Sequence, residues 1–405
     1  MILGMAGSVV RGIRGYGSLV AAPGASAVIL WGLVARVPIG MTALGLVLLV
    51  RGTGGSYADA GIITAANGIA IAVAAPVGGR LVDRRRPPAI LLAYAVANCG
   101  SIVLLLLLAW DGAPVTALAA AAALVGATFP PIGPTIRKLW PRLVSSQDLR
   151  QAAFAFEATI QEIIFLTGPL LVGLITALAG WGAGMAGVAI LTGAGVLGFV
   201  LTDAVAAVSA PDPAEHADRH PLAALAPPGI RRMVAFSVGF GLTFGAVEVA
   251  MPAFAEGHGG RALGAVALAA WSAGSLVGGL LAAGYAGHDP HRRLRVTSAA
   301  FAAVLALPLI AGSIETMAAA MFLAGLPIAP SFAITYGLVE DASVPGTQAE
   351  VFGWLSMAVV AGYAAGTAAG GILITHSGTD ASIGLGMLGA ATAAAVARVG
   401  EPRSG

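Results

Sequence analysis

From Val28 to the C-terminus the chain alternates apolar runs of about 20 residues with short breaks rich in arginine, glycine or proline. A helix rises about 1.5 Å per residue, so about 20 apolar residues cross the roughly 30 Å of a bilayer's hydrocarbon. The runs predict helices near 26–50, 57–80, 88–110, 114–134, 150–178 and 182–208, then near 230–254, 262–286, 294–312, 316–339, 350–374 and 379–398. Between the two sets lies the one clearly polar stretch, APDPAEHADRHPLAALAPPG (210–229), whose prolines and charges exclude a spanning helix. The pattern predicts an all-α membrane protein of about twelve transmembrane helices. It divides into an N-terminal six-helix bundle (1–208), a linker (209–229) and a C-terminal six-helix bundle (230–405).

Composition points the same way: 58% of the 405 residues are hydrophobic and 10% are charged, against roughly 25% charged in a soluble domain. Such a chain lacks the polar surface that water requires and takes the lipid bilayer as its solvent. The formal net charge of +2 is too small for a nucleic-acid footprint, and no nucleic-acid partner is expected.

The distribution of cations says more than their sum. Alternate loops hold Arg80, Arg84, Arg85 and Arg86, then Arg137, Lys138, Arg142 and Arg150, then Arg219, Arg231 and Arg232, then Arg292, Arg293 and Arg295; the other loops hold Arg51 and Arg261. Cationic loops stay cytoplasmic, so the expectation is a multi-pass protein of the cytoplasmic membrane with both termini inside. Ala25-Ser26-Ala27 has the small-residue form of a signal-peptidase site, but Arg11 and Arg14 follow the first apolar residues, and residues 1–24 read as a cytoplasmic lead-in. Cys99, the single cysteine, lies in an apolar run and reads as a packing residue, with no internal disulfide and no thiolate cluster for a metal.

The two halves repeat each other in order. Gly78-Gly79 corresponds to Gly278-Gly279 at an offset of 200, PPIGP (130–134) to LPIAP (326–330) at 196, and GPLLVGLIT (168–176) to GTAAGGILIT (366–375) at 198. Duplicated bundles with a site between them at mid-membrane are one way secondary transporters are built.

The stretch Gly79-Arg80-Leu81-Val82-Asp83-Arg84-Arg85-Arg86 resembles the helix two to three loop of the major facilitator superfamily, Gly-x-x-x-Asp-Arg/Lys followed by glycine and basic residues. Pro87-Pro88 stands where that pattern continues with glycine and further cations, and the second-half copy, His288-Asp289-Pro290-His291-Arg292-Arg293, departs further. The resemblance implies two six-helix bundles related by a pseudo-twofold axis, a monomer, and a small-molecule substrate moved by alternating access. It also implies that Gly79, Asp83, Arg84 and Arg85 form a cytoplasmic gate, with Asp83 and Arg84 contacting the opposite half near Gln348 to Glu350. In the fifth helix Gly168-Pro169 and Gly173 resemble part of an antiporter signature whose upstream glycine is replaced here by Ile164. The fourth helix, read as 114–134, lacks the buried arginine that many proton-coupled exporters of the superfamily carry there.

A charge inside hydrocarbon costs about 3 kcal/mol or more, so each one is a functional candidate. Arg36, Glu157, Glu162 and Glu248 lie deep in predicted helices. Glu157 and Gln161 share a helix face, whereas Glu162 is turned away from Glu157 by about 140°. Arg36 is expected to face Glu162. Because an ionised carboxylate stripped of water is costly, Glu162 or Glu248 is expected to take up and release a proton during transport. Asn67, Gln161, Thr159, Tyr336 and Trp354 are candidate cavity lining, as are Trp31 and Trp271.

GAGMAG (182–187) and GAGVLG (193–198) satisfy Gly-x-Gly-x-x-Gly but sit inside one membrane helix and follow no strand, so they read as close-packing glycines. His216 and His220 have metal-ligand spacing in a proline-rich linker that offers no helical platform, and no metal is expected. No phosphate-binding lysine loop and no nucleophile with its base is visible, so neither an enzyme nor an ATP-driven pump is expected; the expected energy source is a proton gradient, with no cofactor. The expected function is proton-coupled efflux of a small organic molecule by antiport. The alternatives are a proton-linked importer or uniporter of sugars or metabolites, and a non-transporting membrane sensor or scaffold.

Overall fold

A computed structural model describes residues 16–144, 146–207, 222–258, 263–282 and 289–398. Most of the predicted linker, with His216 and His220, lies outside the described residues, as do both chain ends. Among the described residues twelve helices are long and apolar enough to cross a membrane. They are α1 (Ala25–Gly52), α2 (Asp59–Arg84), α3 (Pro87–Trp110), α4 (Val115–Leu143), α5 (Gln147–Ala179) and α6 (Trp181–Val200) in the first half. The second half holds α7 (Pro228–Glu256), α8 (Gly264–Leu281), α9 (Pro290–Ile310), α10 (Ile314–Ala342), α11 (Gln348–Ser377) and α12 (Thr379–Arg398).

Local chemistry sets where these helices begin and end. Ser56 caps α2 through a reciprocal pair in which its Oγ accepts from Asp59 N (3.0 Å) and its own N–H donates to Asp59 Oδ2 (2.9 Å). Ser146 and Asp289 cap α5 and α9 by accepting backbone amides of the first turn. Proline opens α3, α7 and α9, where the missing N–H would have no helical partner. The turns from α5 to α6 and from α11 to α12 each pivot on one glycine with positive φ, Gly180 (92°) and Gly378 (85°), a conformation that a side chain would strain.

Two spans differ from the sequence expectation. The prolines at 130 and 131 interrupt α4 but do not end it: the helix restarts at Ile132 and runs to Leu143, carrying Arg137 and Lys138 within the span. α10 breaks at the matching place, between Gly325 and Ile328, so the repeated Pro-Ile motif marks the same bend in both halves. α9 starts at Pro290, which moves Arg292, Arg293 and Arg295 from a loop into its first turns.

The packing repeats with a shift of six helices. α1 packs on α5 and α6 as α7 does on α11 and α12; α2 on α4 as α8 on α10; α3 on α6 as α9 on α12. Between the halves α2 meets α11 as α5 meets α8, and α4 meets α11 as α5 meets α10, the pairing a twofold relation requires. Small residues let these backbones approach, because apolar side chains gain nothing from leaving lipid for each other. A Cβ on Gly168 would fall 2.5 Å from the Gly40 carbonyl carbon across α1 and α5. Gly195 of α6 lies against the Ala35 backbone in α1, and Gly198 against Trp31, the packing role expected for GAGVLG.

Candidate transport pathway

Arg36 lies about 16 Å along α1 from Ala25, and Glu157 about 15 Å along α5 from Gln147. At this shared depth the two pair: Arg36 Nη1 lies 2.5 Å from Glu157 Oε2 and Nη2 3.3 Å from Oε1, while Arg36 Nε donates to the Gly32 carbonyl at 2.9 Å. Both side chains are buried, at 6% and 1% exposure. The expected Arg36–Glu162 pair is therefore corrected to Arg36–Glu157. The reason is helical pitch: Glu162 sits about 7 Å further along α5 and on a different face.

That face meets the other half. Glu162 Oε1 accepts from Ser275 Oγ of α8 at 3.0 Å, and among the described residues it forms no ion pair. Glu248 lies on α7, exposed, with its carboxylate hydrogen-bonded to the hydroxyl of Tyr363 on α11. Gln161 is half-buried beside Glu162. Asn67 is buried and donates to the Ala122 carbonyl at 2.9 Å, so its amide ties α2 to α4.

The halves are latched at the arginine-rich ends of the helices. Asp83, 1% exposed, accepts hydrogen bonds from Lys138 Nζ at 2.7 Å and from the Glu350 backbone N–H at 2.8 Å. A carboxylate of one half thus caps the N-terminus of α11 in the other, where the helix dipole favours negative charge. Gly79 fits against the Ala349–Glu350 backbone, which any side chain would strike. The cation that crosses to the second half is Arg80, whose Nη2 meets Glu350 Oε1 at 2.5 Å; Trp354 Nε1 donates to the same oxygen at 3.4 Å. α2 ends at Arg84, and there Arg84 and Arg85 are exposed, whereas Arg80 lies one turn deeper, facing α11. A second latch joins Arg150 to Glu340 at 3.2 Å, and Arg293 donates to Gln151 at 3.1 Å. The crevice left among these residues has a volume of about 60 Å³, room for a few waters and not for an organic solute.

In the helix-five motif, Gly168 serves the close approach to α1, Pro169 is half-buried, and Gly173 has open space where a side chain would go.

Two functional candidates escape sequence reasoning. Arg137, expected in a loop, is buried in α4 at 6% exposure, which corrects the expectation of a fourth helix without a buried arginine. Its guanidinium carbon stands 4.2 Å from the Tyr336 ring centroid and 5.5 Å from that of Phe352, both in the second half, and Nη2 donates to Tyr336 Oη at 3.3 Å. The second is Tyr16, just before α1. It shares a hydrogen bond with Thr159 Oγ1 of α5 (3.3 Å), donates to the Gly279 carbonyl of α8 (3.4 Å) and packs edge-on against Phe156 (5.2 Å). Burial pushes the Tyr16 phenol above its ordinary pKa, which keeps it a donor.

No group of three His, Cys, Asp or Glu side chains suited to a metal occurs among the described residues. What the arrangement offers is an ion pair internal to one half, an acid and a cation on the boundary between halves, and a set of contacts closing one end of that boundary.

Two duplicated six-helix bundles, latched at one end around interior charges, define a multi-pass membrane transporter. The chain belongs to the Major Facilitator Superfamily, which its residues 28–314 match. No curated protein matches the chain. Among solved structures it is similar to a bacterial homologue of the iron transporter ferroportin in an outward-facing state, with a TM-score of 0.72, 12% identity, and coverage of 92% of this chain and 98% of that one. It is similar also to the E. coli fucose:proton symporter FucP (TM-score 0.71, 14% identity, 93% and 98% covered) and to the human organic anion transporter MFSD10 (0.65, 16%, 92% and 99%). At these identities the likeness is one of fold.

Proposed function

We propose that the protein moves a small organic molecule across the cytoplasmic membrane by rocking its halves about the interior charges, with proton movement through Glu162 as the coupled step. The observation that carries this reading is the Glu162–Ser275 contact. A titratable carboxylate inside the membrane, held by a neutral hydroxyl from the opposite half, changes surroundings whenever that boundary opens. The Arg36–Glu157 pair, closed within one half, keeps its partner through such a motion and serves as the pivot's fixed charge.

The arginine distribution supports a cytoplasmic basic face with both termini inside, so the conformation described is shut toward the cytoplasm. The protein acts as a monomer, is not an enzyme, uses no cofactor, and divides into halves 1–208 and 230–405 joined by the linker 209–229. Export in exchange for protons is supported by the Gly168-Pro169 pair. Uptake together with a proton is the second reading, and Arg137 favours it: a cation on the boundary that meets rings and a phenol, and among the described residues no acid, makes room for an anion and a proton to travel together.

The test is reconstitution in proteoliposomes with substrates first selected by thermal shift. Wild-type protein is expected to change lumenal pH when substrate is added, and Glu162→Gln to bind substrate without that change. Coupling that survives Glu162→Gln removes Glu162 from the mechanism, and the sign of substrate movement under an imposed pH gradient separates export from uptake.

A further inference from the structure

Arg36, Arg80, Lys138 and Arg150 each meet an acid, whereas Arg137 forms no ion pair among the described residues. Its Nε is buried with no hydrogen-bond partner, and its remaining contacts are one phenol and two aromatic faces. Rings and a neutral hydroxyl offset only part of the cost of taking a guanidinium out of water. Both rings belong to α10 and α11, so parting the halves at the basic ends carries them away and leaves the Arg137 charge facing the opening.

The geometry points to Arg137 as the recognition point for a monoanionic organic solute, a carboxylate on an apolar, ring-bearing body. One excess cation matches one negative charge, and a guanidinium fork matches a carboxylate bidentately. The rings around it suit the apolar body: Tyr336 meets Phe154, Phe332 and Phe352 edge-on or tilted, at centroid distances of 6.4, 6.0 and 5.8 Å. The assignment deepens the transport reading and rests on it.

The test uses full-length protein in detergent with benzoate, phenylacetate and indole acetate, set against benzamide, phenylacetamide and benzylamine. The acids are expected to raise the melting temperature of wild-type protein while the amides and the amine do not. Arg137→Gln is expected to lose the response, and Arg137→Lys to need about tenfold more acid for half the effect. Arg137→Lys keeps the charge and guards against a Gln variant that fails to fold. Amides that stabilise as well as acids, acids that leave the wild type unchanged, or a response that persists in both variants would each overturn the anion assignment. Proteoliposomes that move no solute while benzoate still stabilises wild type and not Arg137→Gln would retain the anion site and refute transport.

Discussion

A buried ion pair is weak support for stability but a severe liability once halved, because the surviving charge keeps its desolvation cost without its partner. Arg36 and Glu157 are in that position, at 6% and 1% exposure with two hydrogen bonds between them. Glu157→Leu is therefore expected to destabilise the protein by about 3 kcal/mol or more, and adding Arg36→Met to recover more than half of the loss. Thermal unfolding in detergent of both single variants and the double one checks this; a double variant worse than either single would show that the pair's value is not electrostatic. At this scale the sequence located the charges but paired Arg36 with Glu162, where the fold pairs it with Glu157. Depth along a helix can be counted from its cap, so Arg36, Glu157 and Glu162 were visible as interior. Which acid Arg36 meets depends on the rotation of α5 against α1, set where Gly168 lies on Gly40.

Among the elements, α2 and α11 form the surface on which the basic end closes. Gly79 admits the α11 N-terminus, Gly353 sits against the Ala75–Pro76 backbone, and Asp83 caps the incoming amides. Gly79→Leu is expected to hold this surface apart. Spin labels on Arg85 and Asp341, exposed on opposite halves, should then show a distance distribution shifted to longer values in double electron–electron resonance; an unchanged distribution would mean that closure does not need this contact. The motif was legible because its spacing is local: Gly79 and Asp83 are one turn apart and share a face. The span of α4 was not, since a cluster of cations after two prolines has the composition of a loop whether or not a helix resumes beneath it.

The whole molecule closes at one end through contacts that neither half makes alone, and Tyr16 adds contacts from outside the spans. Its hydroxyl touches α5 and α8 together, so it is satisfied only while those helices are adjacent. Tyr16→Phe keeps the ring on Phe156 and removes those bonds, at a cost of about 1 kcal/mol, and so should shift the closed-to-open ratio about fivefold toward the open state. The same spin-label pair reads this shift, and an unaltered ratio would reduce Tyr16 to a packing residue.

The sequence by itself determined that the chain lives in lipid, that it crosses about twelve times in two repeated sets, and that the cations gather in alternate breaks between apolar runs. These follow from hydrophobicity, length and charge count, which are sums over local residues and need no fold to evaluate. Tertiary structure alone decided that Glu157 neutralises Arg36, that Glu162 reaches Ser275, that Arg80 crosses to Glu350, and that Arg137 lies among rings of the opposite half. Each of these depends on how one helix is rotated and raised against another, and that is fixed by backbone contacts between residues more than a hundred positions apart.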